Sequence, residues 1–132
     1  IIAMESKLNN GEIIAIAGDR TSSKSDKFNL VNFLGDEAPF PYGAFLIPVL
    51  LKYPTYYFFA LREKDKIIPK RYDFYIYESK VLSDIQNKKL TKDNKNRISL
   101  ELTKEFVKII EETVIKYPYQ WYNMYYFWNK EN

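Results

Sequence analysis

The chain has 132 residues, 46% hydrophobic and 28% charged, with a formal net charge of +3. That is enough for one domain over residues 1–132 and short for two, and the charge is too small to argue for a nucleic-acid binder. Cys and His are both absent, which excludes disulfides, thiolate metal sites, Cys nucleophiles, and a zinc enzyme or Ser-His-Asp hydrolase built from this chain alone.

Ile1, Met4 and Leu8 fall at i, i+3 and i+7 and line one face of a helix, with Asn9, Asn10 and Gly11 as its stop. No capping residue precedes that helix, which suggests a fragment whose apolar start (Ile1, Ile2, Met4) seeks a partner or a second copy. The start has no basic region and no small-residue cleavage site, so it does not read as a signal peptide. Ile13 to Ala17 is an unbroken apolar run. A run like this suits a strand over 12–17, buried on both faces in a sheet covered by helices.

The run ends abruptly at Gly18-Asp19-Arg20. Ligands of open α/β sheets gather at the carboxyl ends of strands, so Asp19 and Arg20 are site candidates; the bland alternative is a solvated turn. The loop that follows offers the hydroxyls of Thr21, Ser22, Ser23 and Ser25 and the cations Lys24 and Lys27. Such a loop could receive a phosphate or be an ordinary surface loop.

FNLVNFL (28–34) alternates as a short strand ended by Gly35, and residues 35–43 read as a turn-rich connection with Pro39 and Pro41. AFLIPVLL (44–51) reads as a helix in which Pro48 removes a backbone bond. TYYFFAL (55–61) and YDFYIYE (72–78) read as neighbouring strands of a hairpin joined by a charged turn. In the second, Tyr72, Phe74 and Ile76 face opposite to Asp73, Tyr75 and Tyr77.

Residues 83–97 are polar and Lys/Asn-rich, but no aromatics interleave, so a solvated connection is the better reading than a stacking platform for nucleic acid. Residues 99–117 form the clearest helix. Leu102, Phe106, Ile109, Ile110, Thr113 and Val114 make one stripe, with Lys104, Glu105, Lys108, Glu111 and Glu112 as a solvated face. Pro118 stops it, and the aromatic tail that follows either lids the core, anchored by Trp121, or meets a lipid interface. No span of about 18 or more apolar residues is present, so the chain does not cross a membrane by itself. The fold class is therefore α/β: a mixed, largely buried sheet flanked by helices.

GEIIAIAGDR (11–20), FLGDEAPFPYGAFLIPVLLKYPTYYFFALRE (33–63) and YPYQWYNMYYFW (117–128), in that order, resemble the carboxyl half of bacterial lauroyl/myristoyl-type lipid A biosynthesis acyltransferases. These belong to the lysophospholipid acyltransferase superfamily. The resemblance covers nearly the whole chain and is weakest over 79–98. It implies acyl transfer from an acyl carrier protein or coenzyme A thioester to a hydroxyl of a lipid or glycolipid, with no cofactor, metal or nucleic acid. It also implies a cytoplasmic location, peripheral at the inner face of the bacterial cytoplasmic membrane.

The family's base comes from a His-x4-(Asp/Glu) motif in an amino-terminal half that lies upstream of this region. No catalytic residue is therefore expected in this chain, which should be inactive alone. Carried over are acceptor-side positions. GDRTSS looks like the counterpart of the superfamily's Pro-Glu-Gly-Thr-Arg-Ser element, giving Asp19, Arg20, Thr21 and Ser22, with Lys24 in support. FPYGAF matches an element in which Gly43 permits close packing. The glutamate motif is not intact here, and Pro48 stands where that branch has a small helix former. The competing reading is a non-catalytic binding module with an aromatic surface for a lipid, glycan or protein. An RNA-binding domain is a third, on the +3 charge and scattered lysines alone.

Overall fold

The computed structural model describes residues 1–20, 27–63, 71–83, 90–124 and 126–128. Its longest element is the helix α4 (Lys92–Lys116), whose buried side chains Ile98, Leu102, Val107, Ile110 and Val114 form its core-facing stripe. In chain order the other elements are α1 (Ile2–Asn9), β1 (Phe28–Phe33), β2 (Asp36–Pro41), α2 (Tyr42–Leu51), β3 (Tyr56–Arg62), β4 (Tyr72–Glu78) and the short α3 (Lys80–Ser83). A 3-10 turn at Pro118–Gln120 follows α4.

The strands form two separate antiparallel pairs, β1 with β2 and β3 with β4. The fold is thus mixed α and β, but the single, largely buried sheet expected from the sequence is not there. In its place are two small hairpins against α4 and α2. Residues 12–17 are the clearest correction: they form no strand, and Ile13 is 95% exposed. An apolar run becomes a doubly buried strand only if neighbouring strands and layers flank it, and the described residues give this one no ladder.

Residues 36–41 also depart from expectation, since the expected turn-rich connection is a strand. Asp36 to Pro41 pairs with β1 in a register that sets Phe33 opposite Asp36 and Phe28 opposite Pro41. Pro39 and Pro41 fit because both members of a two-stranded sheet are edge strands, where a missing donor can face away from the partner. The intervening loop is Leu34-Gly35, both at positive φ (54° and 94°), as a two-residue type I′ hairpin turn requires.

The start of α4 lies well before the expected residue 99. Thr91 accepts a bond on Oγ1 from the Asn94 backbone N–H at 3.3 Å, and Asp93 sits in the first turn. Both stabilise a helix start. Pro48 is accommodated inside α2, which ends at Lys52 in the left-handed region (φ 58°).

Phe33 and Phe40 are fully buried at the core, joined by Val49, Leu102 and Phe127. Trp121, Phe127 and Trp128 of the tail pack around the Phe33 ring at centroid distances of 5.3–5.9 Å. Trp128 Nε1 also donates to the Phe33 carbonyl at 3.1 Å. These rings lid the core, whereas Tyr119, Tyr122, Met124 and Tyr126 remain exposed. No helix among the described residues is long and apolar enough to cross a membrane.

Candidate functional site

The segment leading to Gly18-Asp19-Arg20 leaves α1 through a tight turn. Gly11 at φ 77° lets the chain reverse, the Glu12 backbone N–H donates to the Lys7 carbonyl at 3.0 Å, and Lys7 pairs with Glu12 at 2.8 Å. Gly18 then passes close to the tip of the Phe106 ring of α4. A Cβ at Gly18 would stand 3.2 Å from Phe106 Cζ, so glycine allows this close approach.

Opposite this segment lies the N-terminus of α2. Pro41 caps it without a side-chain bond, and the Tyr42 N–H donates to the Lys27 carbonyl at 3.0 Å. That bond ties Lys27 to the first turn of the helix. Between the two walls is a cleft of about 470 Å³. Ile16 and Ala17 line one side, Tyr42, Gly43 and Ala44 the other, and Arg20 and Lys27 supply its cations.

Two cationic residues, Arg20 and Lys27, and a helix N-terminus border this cleft. The N-terminus contributes about 0.3–1 kcal/mol toward an anion, and a hydrogen bond to a charged group about 1.5–3 kcal/mol, so Arg20 and Lys27 dominate. Asp19 lies beside rather than in the cleft, and its Oδ2 is 3.5 Å from Arg20 Nε. With the Arg20 side chain 61% exposed, this surface pair is worth at most about 1 kcal/mol and leaves the other guanidinium nitrogens a role toward a ligand.

Arg20 and Gly43 are thus brought to one cleft, and Asp19 borders it. Thr21, Ser22 and Lys24 lie outside the described residues. Gly43 does not serve close packing, because a Cβ there would meet nothing within 4 Å. Its bare Cα leaves open space at the helix N-terminus instead. Tyr42 was not legible as a wall of the cleft, because residues 35–43 read as a loop rather than as a strand running into a helix.

A second polar cluster was missed entirely. Glu105, read from sequence as part of a solvated face, accepts bonds from Tyr57 Oη at 2.9 Å, Ser79 Oγ at 2.7 Å and the Lys80 N–H at 2.9 Å. Burial, then the nearby Glu105 carboxylate, push the Tyr57 hydroxyl well above the usual tyrosine range. Glu105 stands three residues after Leu102, at the border of the apolar stripe, which is the only sequence signal it gives. Asn29 makes a comparable tie, donating from Nδ2 to Thr103 Oγ1 at 2.7 Å. Among the described residues no buried side-chain polar atom lacks a partner, so these clusters fasten β1, β3 and α3 to α4. Comparison with protein-family models, with curated proteins and with solved structures finds no match for this chain.

Proposed function

We propose that this chain is the acceptor-binding portion of an acyltransferase that moves a fatty acyl group from an acyl carrier protein or coenzyme A thioester to a lipid or glycolipid hydroxyl. The observation that carries the reading is the cleft in which Arg20, Lys27 and the α2 N-terminus converge on one space. An acceptor bearing a phosphate would place that group there, held by charge-assisted bonds, with Gly43 leaving room at the helix end.

In the reaction the acceptor hydroxyl oxygen attacks the thioester carbonyl. Its proton passes to a general base, the C–S bond breaks and the thiol leaves. With no His in the chain, the reading assigns the base to an amino-terminal half of the same enzyme, a partner this chain must meet to act. It places the enzyme in the cytoplasm, peripheral at the inner face of the bacterial cytoplasmic membrane.

The test has two arms. Given acyl carrier protein or coenzyme A thioesters, the 132-residue chain alone should consume none above background. The longer protein from the parent reading frame should carry His-x4-(Asp/Glu) upstream and consume thioester only when a lipid hydroxyl acceptor is added. Turnover by the chain alone would defeat the assignment of the base, and a parent frame lacking the motif would defeat the family. In the second case the exposed Tyr119, Met124 and Tyr126 favour the other reading, a non-catalytic module with an aromatic binding surface.

A further inference from the structure

We propose that the outer face of the β3–β4 hairpin is a self-association surface whose occupant is a second copy of this chain. The antiparallel register sets Tyr56 opposite Glu78, Phe58 opposite Ile76, Ala60 opposite Phe74 and Arg62 opposite Tyr72. Side chains alternate along a strand, so these eight share one face. The opposite face carries Tyr57 and Phe59, which pack on Phe106 of α4. The outer face has no such cover: Phe58 is 58% exposed, Phe74 64% and Ile76 63%. A contiguous apolar patch of this kind marks an interaction site, and a two-stranded hairpin is marginal without cover.

The pattern of the face selects its occupant. Its centre is apolar, and the Phe58 and Phe74 rings are already stacked at 5.5 Å, so little ordering remains to be done on binding. Its four corners hold two tyrosines on one diagonal and Arg62 and Glu78 on the other. A two-fold axis in the plane of contact, whether along or across the strands, sets each Arg62 against a tyrosine of the second copy and each Glu78 against the other tyrosine. Like charges never meet. Phenol to carboxylate is favourable at the Glu78 corners, while at the Arg62 corners the guanidinium, which lies 5.5 Å from its own chain's Tyr122 ring centroid, exchanges one ring for another. One cation offset by one carboxylate gives no net attraction for a nucleic-acid backbone or an anionic bilayer.

Strands of seven residues make a face roughly 24 Å by 10 Å. That is well short of the roughly 800 Å² per partner of a stable complex, so the dimer is weak and concentration-dependent. It uses no cleft residue and stands apart from the acyltransferase reading.

Sedimentation velocity of the 132-residue chain from micromolar to millimolar concentration tests it. The mass should rise from 15.8 kDa toward twice that value and stop there. Phe58→Glu and, separately, Phe74→Glu should stay monomeric with unchanged circular dichroism and melting. Ile76→Lys serves where either variant is unfolded. A monomer at every concentration, association that persists in the folded variants, or growth past the dimer would overturn the proposal. So would binding of phosphatidylcholine/phosphatidylglycerol vesicles that the variants abolish while no dimer forms.

Discussion

Arg20 can be separated from the fold by two measurements. Its side chain is mostly exposed and its one described ion pair is with Asp19, so Arg20→Ala should shift stability by no more than about 0.5 kcal/mol. In the longer enzyme it should cost about 1.5–3 kcal/mol of binding to a phosphate-bearing acceptor, read as a fall in acyl-transfer rate at low acceptor. Asp19→Asn removes a carboxylate that competes for the guanidinium and should leave that rate unchanged or higher. Equal loss of rate and stability in Arg20→Ala would make Arg20 structural instead. Glu105 is the opposite case, because three donors converge on it. Glu105→Ala strands the buried Ser79 hydroxyl and leaves the buried Tyr57 hydroxyl only the Leu102 carbonyl at 3.2 Å, and urea unfolding should show a loss of about 1–3 kcal/mol. Tyr57 gives this cluster a pH signature. Its hydroxyl titrates higher folded than unfolded, first because it is buried and then because of Glu105. Its contribution is therefore complete below the unfolded value near 10 and falls as pH rises above it, at up to about 1.4 kcal/mol per pH unit. Unfolding curves between pH 9 and 11 should show a steeper loss in the wild type than in Tyr57→Phe.

At the level of elements, the turn between β1 and β2 is the clearest misfit between sequence and backbone. Leu34 holds φ 54° beside Gly35 at 94°, where Asn-Gly is strongly preferred. Leu34→Asn keeps the N–H that donates to Glu111 Oε1 at 2.6 Å and should relieve part of the roughly 1–2 kcal/mol cost of the left-handed region, visible as a higher melting temperature. This misfit also explains what the sequence concealed. Leucine gave no turn signal, so Asp36 to Pro41 read as a connection and its prolines argued further against a strand. The hairpin at β3 and β4 was legible because both segments are dense in Tyr and Phe, which favour strands, on either side of a charged turn. So was the stripe of α4 from Leu102 to Val114, since its apolar period repeats over several turns. The cap at Thr91 lay hidden among lysines and asparagines with no apolar period to mark a helix. Of the cleft, Arg20 and Gly43 could be named from sequence, but that they line one space is a tertiary fact that no local signal carries. The run at 13–17 misled because apolar content reports a demand for burial, whereas its partners must come from elsewhere.

Over the whole molecule one ring joins the parts. Phe106 of α4 meets Phe40 of β2, Phe45 of α2, and Tyr57 and Phe59 of β3, at centroid distances of 5.4–6.3 Å. It also supports Gly18 at the entrance to the cleft. Both hairpins and the cleft segment therefore share a contact that lies far from any of them in sequence. Phe106→Ala removes that ring and leaves a cavity under three elements at once. Full truncation of a core Phe costs about 3–5 kcal/mol; Phe106 is only partly buried, which places the expected loss near the low end, about 3 kcal/mol. Phe127→Ala should cost at least as much, about 3–5 kcal/mol, since Phe127 is 4% exposed and touches Phe33, Phe40 and Trp121. The two differ in where the loss is felt. Without Phe106 the Gly18 backbone loses its floor, so amide exchange at residues 16–20 should quicken. Binding of inorganic phosphate, followed by chemical shifts at Arg20 and Gly43, should weaken in step. Phe127→Ala should leave both unchanged at a temperature where each variant is fully folded. If the two variants lose stability equally and neither alters exchange at 16–20, the cleft is held by its own local bonds and Phe106 is core alone.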